Sequence, residues 1–290
     1  MLQRVKPVKV KQLLENAVAI IGEMSETALL DAQLMLSKAL GKDRLYVITH
    51  IEAEIAEAAE SEFMEMVGER SKGRPLQYIV GSQEFMGLDF YVSEGVLIPR
   101  PDTEILVEEV ISVSGAIERP VIADIGCGSG AISVSLAKYI KEVFVYSLDI
   151  SQAALEICRI NAENNGVGEK IRFLESDIFS ALEGSAIRFD IIVSNPPYIR
   201  KLDIDGLHVQ VKDYEPMKAL DGGTDGLDFY RRITLQSVTF LKPGGYLAYE
   251  VGHDQARDVK GIMEASGAFG ELRIIGDLAG IERVVIGRKL

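Results

Sequence analysis

Val121-Ile122-Ala123-Asp124-Ile125-Gly126-Cys127-Gly128-Ser129-Gly130-Ala131 begins as an apolar strand, passes three glycines at alternate positions and runs into an apolar stretch that reaches Tyr139. A strand, a glycine turn and a helix in that order form the opening unit of an open α/β sheet. Glycine lacks a Cβ, so the turn lets the backbone approach a ligand closely. Gly126-x-Gly128-x-x-Ala131 also fits a relaxed dinucleotide fingerprint, so a nicotinamide-dependent oxidoreductase stays among the readings here.

Downstream of this stretch, strands and helices alternate. Val143 to Leu148 reads as a strand ending at Asp149, Gln152 to Asn164 as a helix, and Ile171 to Leu174 as a strand ending near Asp177. Phe189 to Ser194 is a strand ending at Asn195, Asp228 to Leu241 a helix, Gly245 to Val251 a strand and Gln255 to Ala265 a helix. Leu272 to Ile275 and Arg283 to Gly287 close the chain as strands. This alternation predicts a largely parallel sheet with helices on both faces.

Upstream, the texture changes near residue 75. Val10 to Gly22, Thr27 to Leu40 and Ile51 to Arg70 carry apolar residues at three- and four-residue steps, with Gly22 and Gly41 where helices would end. Tyr78 to Gly81, Phe85 to Val92 and Val96 to Pro99 read as short strands of a β-hairpin linker. Asp102 is placed as N-cap of a helix running to about Ser112, with Glu104 favouring its positive end. The expected division is a helical domain over 1–75, a linker over 76–99 and an α/β domain over 100–290.

The 290 residues are 47% hydrophobic, enough for a sizeable core in two domains. No apolar run approaches the roughly 18–20 residues of a membrane span. The basic start, Met1 to Lys11, is not followed by the apolar run of a secretory signal. Cys127 and Cys158 make no disulfide framework, and His50, His208 and His253 lack metal-ligand spacing, so no metal is expected. These features favour a cytoplasmic protein, with a monomer as the default. The formal net charge of −13 disfavours a partner held by its phosphates.

Ligands of such sheets bind beyond the carboxyl ends of the strands. Four strand ends carry suitable residues: Asp124 with Gly126, Cys127, Gly128, Ser129 and Gly130; Asp149; Asp177 with Ile178; and Asn195. Asp149 can accept from both hydroxyls of a ribose, or it can cap the next helix with Ser151. Asp177 can meet an adenine amino group. Asn195-Pro196-Pro197-Tyr198 is the most informative. Prolines stop the ladder and offer no N–H, so the exposed polarity is carbonyl oxygen. The Asn195 side-chain carbonyl and the Pro196 carbonyl can accept both N–H bonds of a planar amino group, with Tyr198 against its face.

Together these residues resemble the class I methyltransferases that use S-adenosylmethionine, and Asn195 to Tyr198 resembles the motif of those acting on adenine N6, cytosine N4 or a glutamine amide. Further stretches narrow the likeness: Gly73 to Gly81, Glu84-Phe85, Leu97 to Glu104, Asp213-Tyr214-Glu215-Pro216 with Ala219-Leu220, and Leu241-Lys242-Pro243-Gly244-Gly245. Over essentially the whole chain they resemble the release-factor glutamine methyltransferases. That resemblance implies a Rossmann-like sheet, mostly parallel with an antiparallel C-terminal strand, and a small helical domain that engages the substrate. It implies S-adenosylmethionine bound by Asp124, Gly126 to Gly130, Asp149, Asp177, Ile178 and Asn195. Asn195, Pro196, Pro197 and Tyr198 would hold the glutamine of a Gly-Gly-Gln motif in a peptide chain release factor, and Cys127 would pack rather than attack. A nucleic-acid adenine or cytosine methyltransferase is the alternative.

Overall fold

A computed structural model describes residues 8–290, which form two compact units. The first runs to Gly81 and takes in His208–Tyr214; the second comprises Ser82–Leu207 and Glu215–Leu290.

The first unit is helical. It contains α1 (Val10–Ile21), α2 (Ala28–Leu40), α3 (Arg44–Thr49), α4 (Glu57–Ser71) and α5 (Leu76–Val80). Val10, Leu13, Ala17 and Ile21 of α1 pack with Ala32, Met35 and Leu36 of α2 and with Phe63 and Val67 of α4. These residues recur every three or four positions, which is why one stripe of each helix is buried. A buried ion pair, Arg70 Nε to Asp31 Oδ2 at 2.8 Å, joins α2 to α4. Ser25 and Thr27 also donate to Asp31.

Two elements differ from the sequence expectation. The helix expected over Ile51 to Arg70 starts only at Glu57. Before it, the Ile51 and Ala53 carbonyls accept from Lys11 and Val10 N–H, and β2 (Glu54–Ile55) pairs with β1 (Val8–Lys9). The first N–H groups of α1 lack intrahelical partners, and satisfying them draws this segment into extended backbone despite its helical pattern. Tyr78 to Gly81, expected as a strand, belongs to α5, which starts after Pro75 and ends at Gly81 with φ 82°. Proline before a first turn and left-handed glycine after the last are helix signals that outweigh the β-branched composition.

The second unit begins with a hairpin, β3 (Ser82–Phe85) and β4 (Leu88–Tyr91), turning through Met86 and Gly87 at φ 53° and 69°. Residues 96–99 form no strand. Pro101, not Asp102, occupies the cap position of α6 (Asp102–Ser114). Asp102 is instead paired with Arg283 at 3.0 Å, and Glu104 accepts the Met86 N–H, tying α6 to the hairpin.

The main sheet has seven strands: β5 (Val121–Ile125), β6 (Phe144–Asp149), β7 (Ile171–Glu175), β8 (Phe189–Ser194), β9 (Leu241–Glu250), β10 (Phe269–Gly276) and β11 (Glu282–Lys289). Their order is β10-β11-β9-β8-β5-β6-β7. The first five in sequence are parallel, and β11 is antiparallel to β9 and to β10. Successive strand residues face opposite sides. Ile122, Ile191, Val193 and Ala248 pack with α6 and with α7 (Ala131–Tyr139), whereas Ala123, Ile192, Leu247 and Tyr249 pack with α10 (Asp228–Phe240) and α11 (Ala256–Ala265). From β5 the chain moves outward through α7, β6, α8 (Gln152–Asn164) and β7, then returns to place β8 on the opposite side of β5. That reversal leaves a crevice at the carboxyl ends of β5 and β8.

Candidate active site

A cavity of about 560 Å³ occupies that crevice. Of the residues singled out in the sequence, Gly126, Cys127, Gly128, Ser129, Asp149, Asp177, Ile178, Asn195, Pro196 and Pro197 line it. Asp124, Gly130 and Tyr198 do not; each acts from behind the wall.

The glycine turn divides into two jobs. Gly126 and Gly128 have φ of 75° and 54°, and a Cβ built on either meets nothing within 4 Å, so the bare backbone borders open space. A Cβ on Gly130, at φ 84°, would lie 2.5 Å from Cys158 Sγ, so this glycine lets α7 pack against α8. Cys127 is buried with Cys158 and Leu155. Its hydrogen bond with Cys158, and then burial, hold its thiol well above the usual range, which keeps it protonated and unreactive.

Asp124 is fully buried beneath the turn. Its Oδ2 accepts from the backbone N–H and the hydroxyl of Ser133, and Ser147 in turn donates to Ser133. Burial pushes the Asp124 carboxyl up to about 7. Its role in the geometry is to anchor the first turn of α7 rather than to line the cavity.

Asp149 Oδ2 accepts from Gly128 N–H at 2.9 Å and Oδ1 from Ser151 N–H at 2.8 Å. The helix cap itself is Ser151, whose hydroxyl oxygen accepts from Ala154 N–H. A carboxylate has about four acceptor positions, so backbone N–H groups do not exhaust it and acceptor capacity remains for a ligand. Burial raises the Asp149 pKa, opposed by those backbone N–H groups.

At the next strand end, Asp177 is held by Arg232 from α10, with N–O distances of 2.9 and 2.7 Å. Arg232 also lies over the Phe229 ring, and both line the cavity. Ile178 sits at φ 54°, a left-handed conformation that costs a β-branched residue on the order of 1–3 kcal/mol. Ser176 braces it by donating to the Ile178 carbonyl at 2.9 Å and accepting from Ala181 N–H.

The last strand end is held from three sides. Ser194 donates to the Ile125 carbonyl at 2.7 Å, locking β8 to β5. Asn195 Nδ2 donates to Thr103 Oγ1 at 3.2 Å, and the Asn195 side chain also hydrogen-bonds Glu250. With its N–H groups directed at this back wall, the Asn195 carbonyl oxygen is turned to the other side. Tyr198 lies behind the wall, its hydroxyl 3.5 Å from Glu250 Oε1 and its carbonyl accepting from Gln255. Burial raises its pKa far above the usual phenol range. Its ring therefore does not face the cavity as expected: the two prolines turn the chain, and Tyr198 follows the turn into the apolar layer beneath.

Five contributors lay outside the sequence reading of the site. Arg100, on the cavity wall, is held by buried Glu215 at 2.7 Å, which ties the segment before α6 to Pro216–Ala219 across the opening. In the sequence both stand only within the family-like stretches Leu97 to Glu104 and Asp213 to Pro216. Phe229 and Arg232 come from a helix that carries no motif. Glu250 ends the apolar run Leu247-Ala248-Tyr249 and had the same signal as Asp149, an acid at a strand end.

Comparison with known proteins agrees with this layout. The family model for the methyltransferase small domain matches residues 101–210, and that for the PrmC N-terminal domain matches 12–81. The chain is 44% identical to the release factor glutamine methyltransferase of Clostridium acetobutylicum, over 96% of this chain and 98% of that one. It is 42% identical to that of Moorella thermoacetica, over 88% and 89%. Among solved structures, the Thermus thermophilus 16S rRNA N2 G1207 methyltransferase, solved with AdoMet and guanosine, superimposes with a TM-score of 0.51 at 22% identity, over 72% of this chain and 50% of that one. The last likeness concerns the fold alone. With near-full-length identity of this order and both of its regions matched, the chain belongs to the release factor glutamine methyltransferase family.

Proposed function

We propose that this protein transfers the methyl group of S-adenosyl-L-methionine to the side-chain amide nitrogen of the glutamine in the Gly-Gly-Gln motif of peptide chain release factors. The observation that carries the reading is the Asn195 amide, whose N–H groups are used at the back wall by Thr103 and Glu250. Its free carbonyl, with two prolines that have no N–H to compete, suits a planar NH2 donor.

The cavity fits the proposed methyl donor. Gly126 and Gly128 leave bare backbone where a side chain would intrude, Asp149 keeps acceptor capacity for ribose hydroxyls, and Ile178 and Phe229 offer apolar surface for a base. S-adenosylmethionine supplies a methyl group already activated on a sulfonium, leaving S-adenosylhomocysteine. Weak nucleophilicity remains on the acceptor side, because an amide nitrogen shares its lone pair with its carbonyl. Asn195 and Pro196 would hold both N–H bonds and direct the nitrogen along the line of attack. As the new N–C bond forms, positive charge grows on that nitrogen, and carbonyl oxygens that accept its protons bind it more tightly. The extra proton leaves after transfer, so no strong base is needed.

The test is incubation of the purified protein with labelled S-adenosylmethionine and either a release factor or RNA and DNA. Label on the Gly-Gly-Gln glutamine supports the reading. Label on nucleic acid alone would establish the adenine or cytosine alternative, which the net charge of −13 disfavours.

A further inference from the structure

We propose that Thr103 and Glu250 form a polarity relay that holds the Asn195 amide carbonyl-inward, and that the relay works only while Glu250 is ionised. The inference rests on the proposed role of Asn195 as acceptor for the substrate amide and identifies what gives that residue its direction.

A primary amide is nearly symmetric in shape, so packing alone does not decide which end faces a cavity; its hydrogen bonds do. Glu250 ends β9 and is 2% exposed. Thr103 has one hydroxyl proton and donates it to Glu250 Oε2 at 2.5 Å. Its oxygen is then left as an acceptor, and Asn195 Nδ2 donates to it at 3.2 Å. Glu250 takes a further hydrogen bond from Asn195. An ionised carboxylate has no proton to give, so every bond in the chain points towards it and the amide is locked one way.

Protonation removes that direction. A neutral carboxyl can donate to Thr103, whose proton is then free to point at the Asn195 carbonyl oxygen. The amide turns over and presents NH2 to the cavity, where a substrate NH2 would meet a donor instead of an acceptor. Burial pushes the Glu250 carboxyl up to about 7, so the change falls in the physiological range. The charged groups around it are few. Asp102 on α6 raises its pKa, and Arg283 on β11 lowers it. Arg283 is already shared between Asp102 and Asp277. The Tyr198 hydroxyl lies at 3.5 Å, and the Tyr230 hydroxyl of α10 donates to the Glu250 backbone carbonyl. Neither phenol titrates near neutrality, since burial raises both.

Two measurements test the relay, one of which needs no turnover. In protein labelled at asparagine side chains, the Asn195 NH2 resonance, identified by its loss in Asn195→Ala, is expected to titrate near pH 7 and to stop doing so in Glu250→Gln. A pH-independent resonance in the native protein overturns the proposal, whatever the substrate proves to be. In the methylation assay, kcat should fall as pH drops below about 7, whereas Glu250→Gln should be several-fold slower than the native plateau and flat with pH. Thr103→Val should lose at least ~10-fold in kcat at pH 8 with S-adenosylmethionine affinity unchanged, and Thr103→Ser should recover most of it. A Thr103→Val enzyme that binds cofactor and turns over normally, or a Glu250→Gln enzyme that keeps the native inflection, overturns the relay. Failure of the native protein to methylate any release factor would count against the proposed function, leaving the resonance test to decide the relay.

Discussion

Two strand-end carboxylates show how differently single residues serve the site. Asp149 combines structure with open acceptor positions, so Asp149→Ala is expected to weaken S-adenosylmethionine binding, measurable by calorimetry. Asn195→Ala should leave that affinity largely intact and cut turnover on the order of 10²-fold. Equal loss of both in Asn195→Ala would remove it from the reacting centre. Asp124 does its work out of sight. Its carboxyl is raised to about 7 by burial, against about 3.9 in an unfolded chain. The folded state therefore holds the proton more tightly, and the associated stability is present below about pH 4 and lost as pH rises through about 7. Asp124→Asn abolishes this titration, so its unfolding free energy should vary less with pH, by on the order of 4 kcal/mol across that window. Denaturant titrations of both proteins at several pH values measure the difference. The positions of these groups along the chain were legible, because an acid or amide ending an apolar strand is visible in the sequence. Their partners were not. The arginine on Asp177 comes from residue 232, and the hydroxyl orienting Asn195 comes from residue 103. Only the folded sheet makes those pairs neighbours.

At the scale of elements, the glycine turn makes two opposite expectations in a stretch of five residues. Gly130→Ala forces a Cβ onto Cys158 at a left-handed φ, and such overpacking costs about 1–3 kcal/mol before backbone strain is added. It should lower the unfolding temperature markedly. Gly126→Ala meets no atom of the chain, so beyond the strain of its positive φ, its Cβ intrudes on the ligand. It should lower cofactor affinity more than stability, a contrast readable from paired thermal melts and binding isotherms. Secondary structure was legible wherever a segment's own pattern agreed with its neighbours, as in β5 to α8. It was not legible over residues 51–55, where the pattern is helical and the first donors of α1 required carbonyls from an extended chain. Tyr198 shows the same limit: four residues of motif located it, but the direction in which two prolines send the chain was settled by the layer below.

For the molecule as a whole, the binding site sits entirely within the unit made of Ser82–Leu207 and Glu215–Leu290. A ligand at about 100 times its dissociation constant adds about 2.7 kcal/mol to the state that binds it. S-adenosylmethionine and S-adenosylhomocysteine should each raise the unfolding temperature of that unit by several degrees, and NAD should not. A shift with NAD and none with S-adenosylmethionine would revive the oxidoreductase reading that the glycine spacing alone allowed. No helix among the described residues is long and apolar enough to cross a membrane.

The helical unit, finally, is not a contiguous length of chain. Having left it at Gly81, the polypeptide comes back for His208–Tyr214, where α9 (Val209–Lys212) begins. Val209 presses against Gly73 so closely that a Cβ there would lie 2.8 Å away, and the Tyr214 hydroxyl donates to the Lys72 carbonyl. On the ribosome, then, the helical unit is finished only after the residues 82–207 of its neighbour have been made. A nascent chain arrested just after Gly81 has emerged should still be open to proteases at Lys72 and Arg74, and should close there only once Tyr214 has cleared the exit tunnel. Cutting out the chain up to Gly81 as a block leaves that closing stitch behind, inside the stretch that encodes the neighbouring unit.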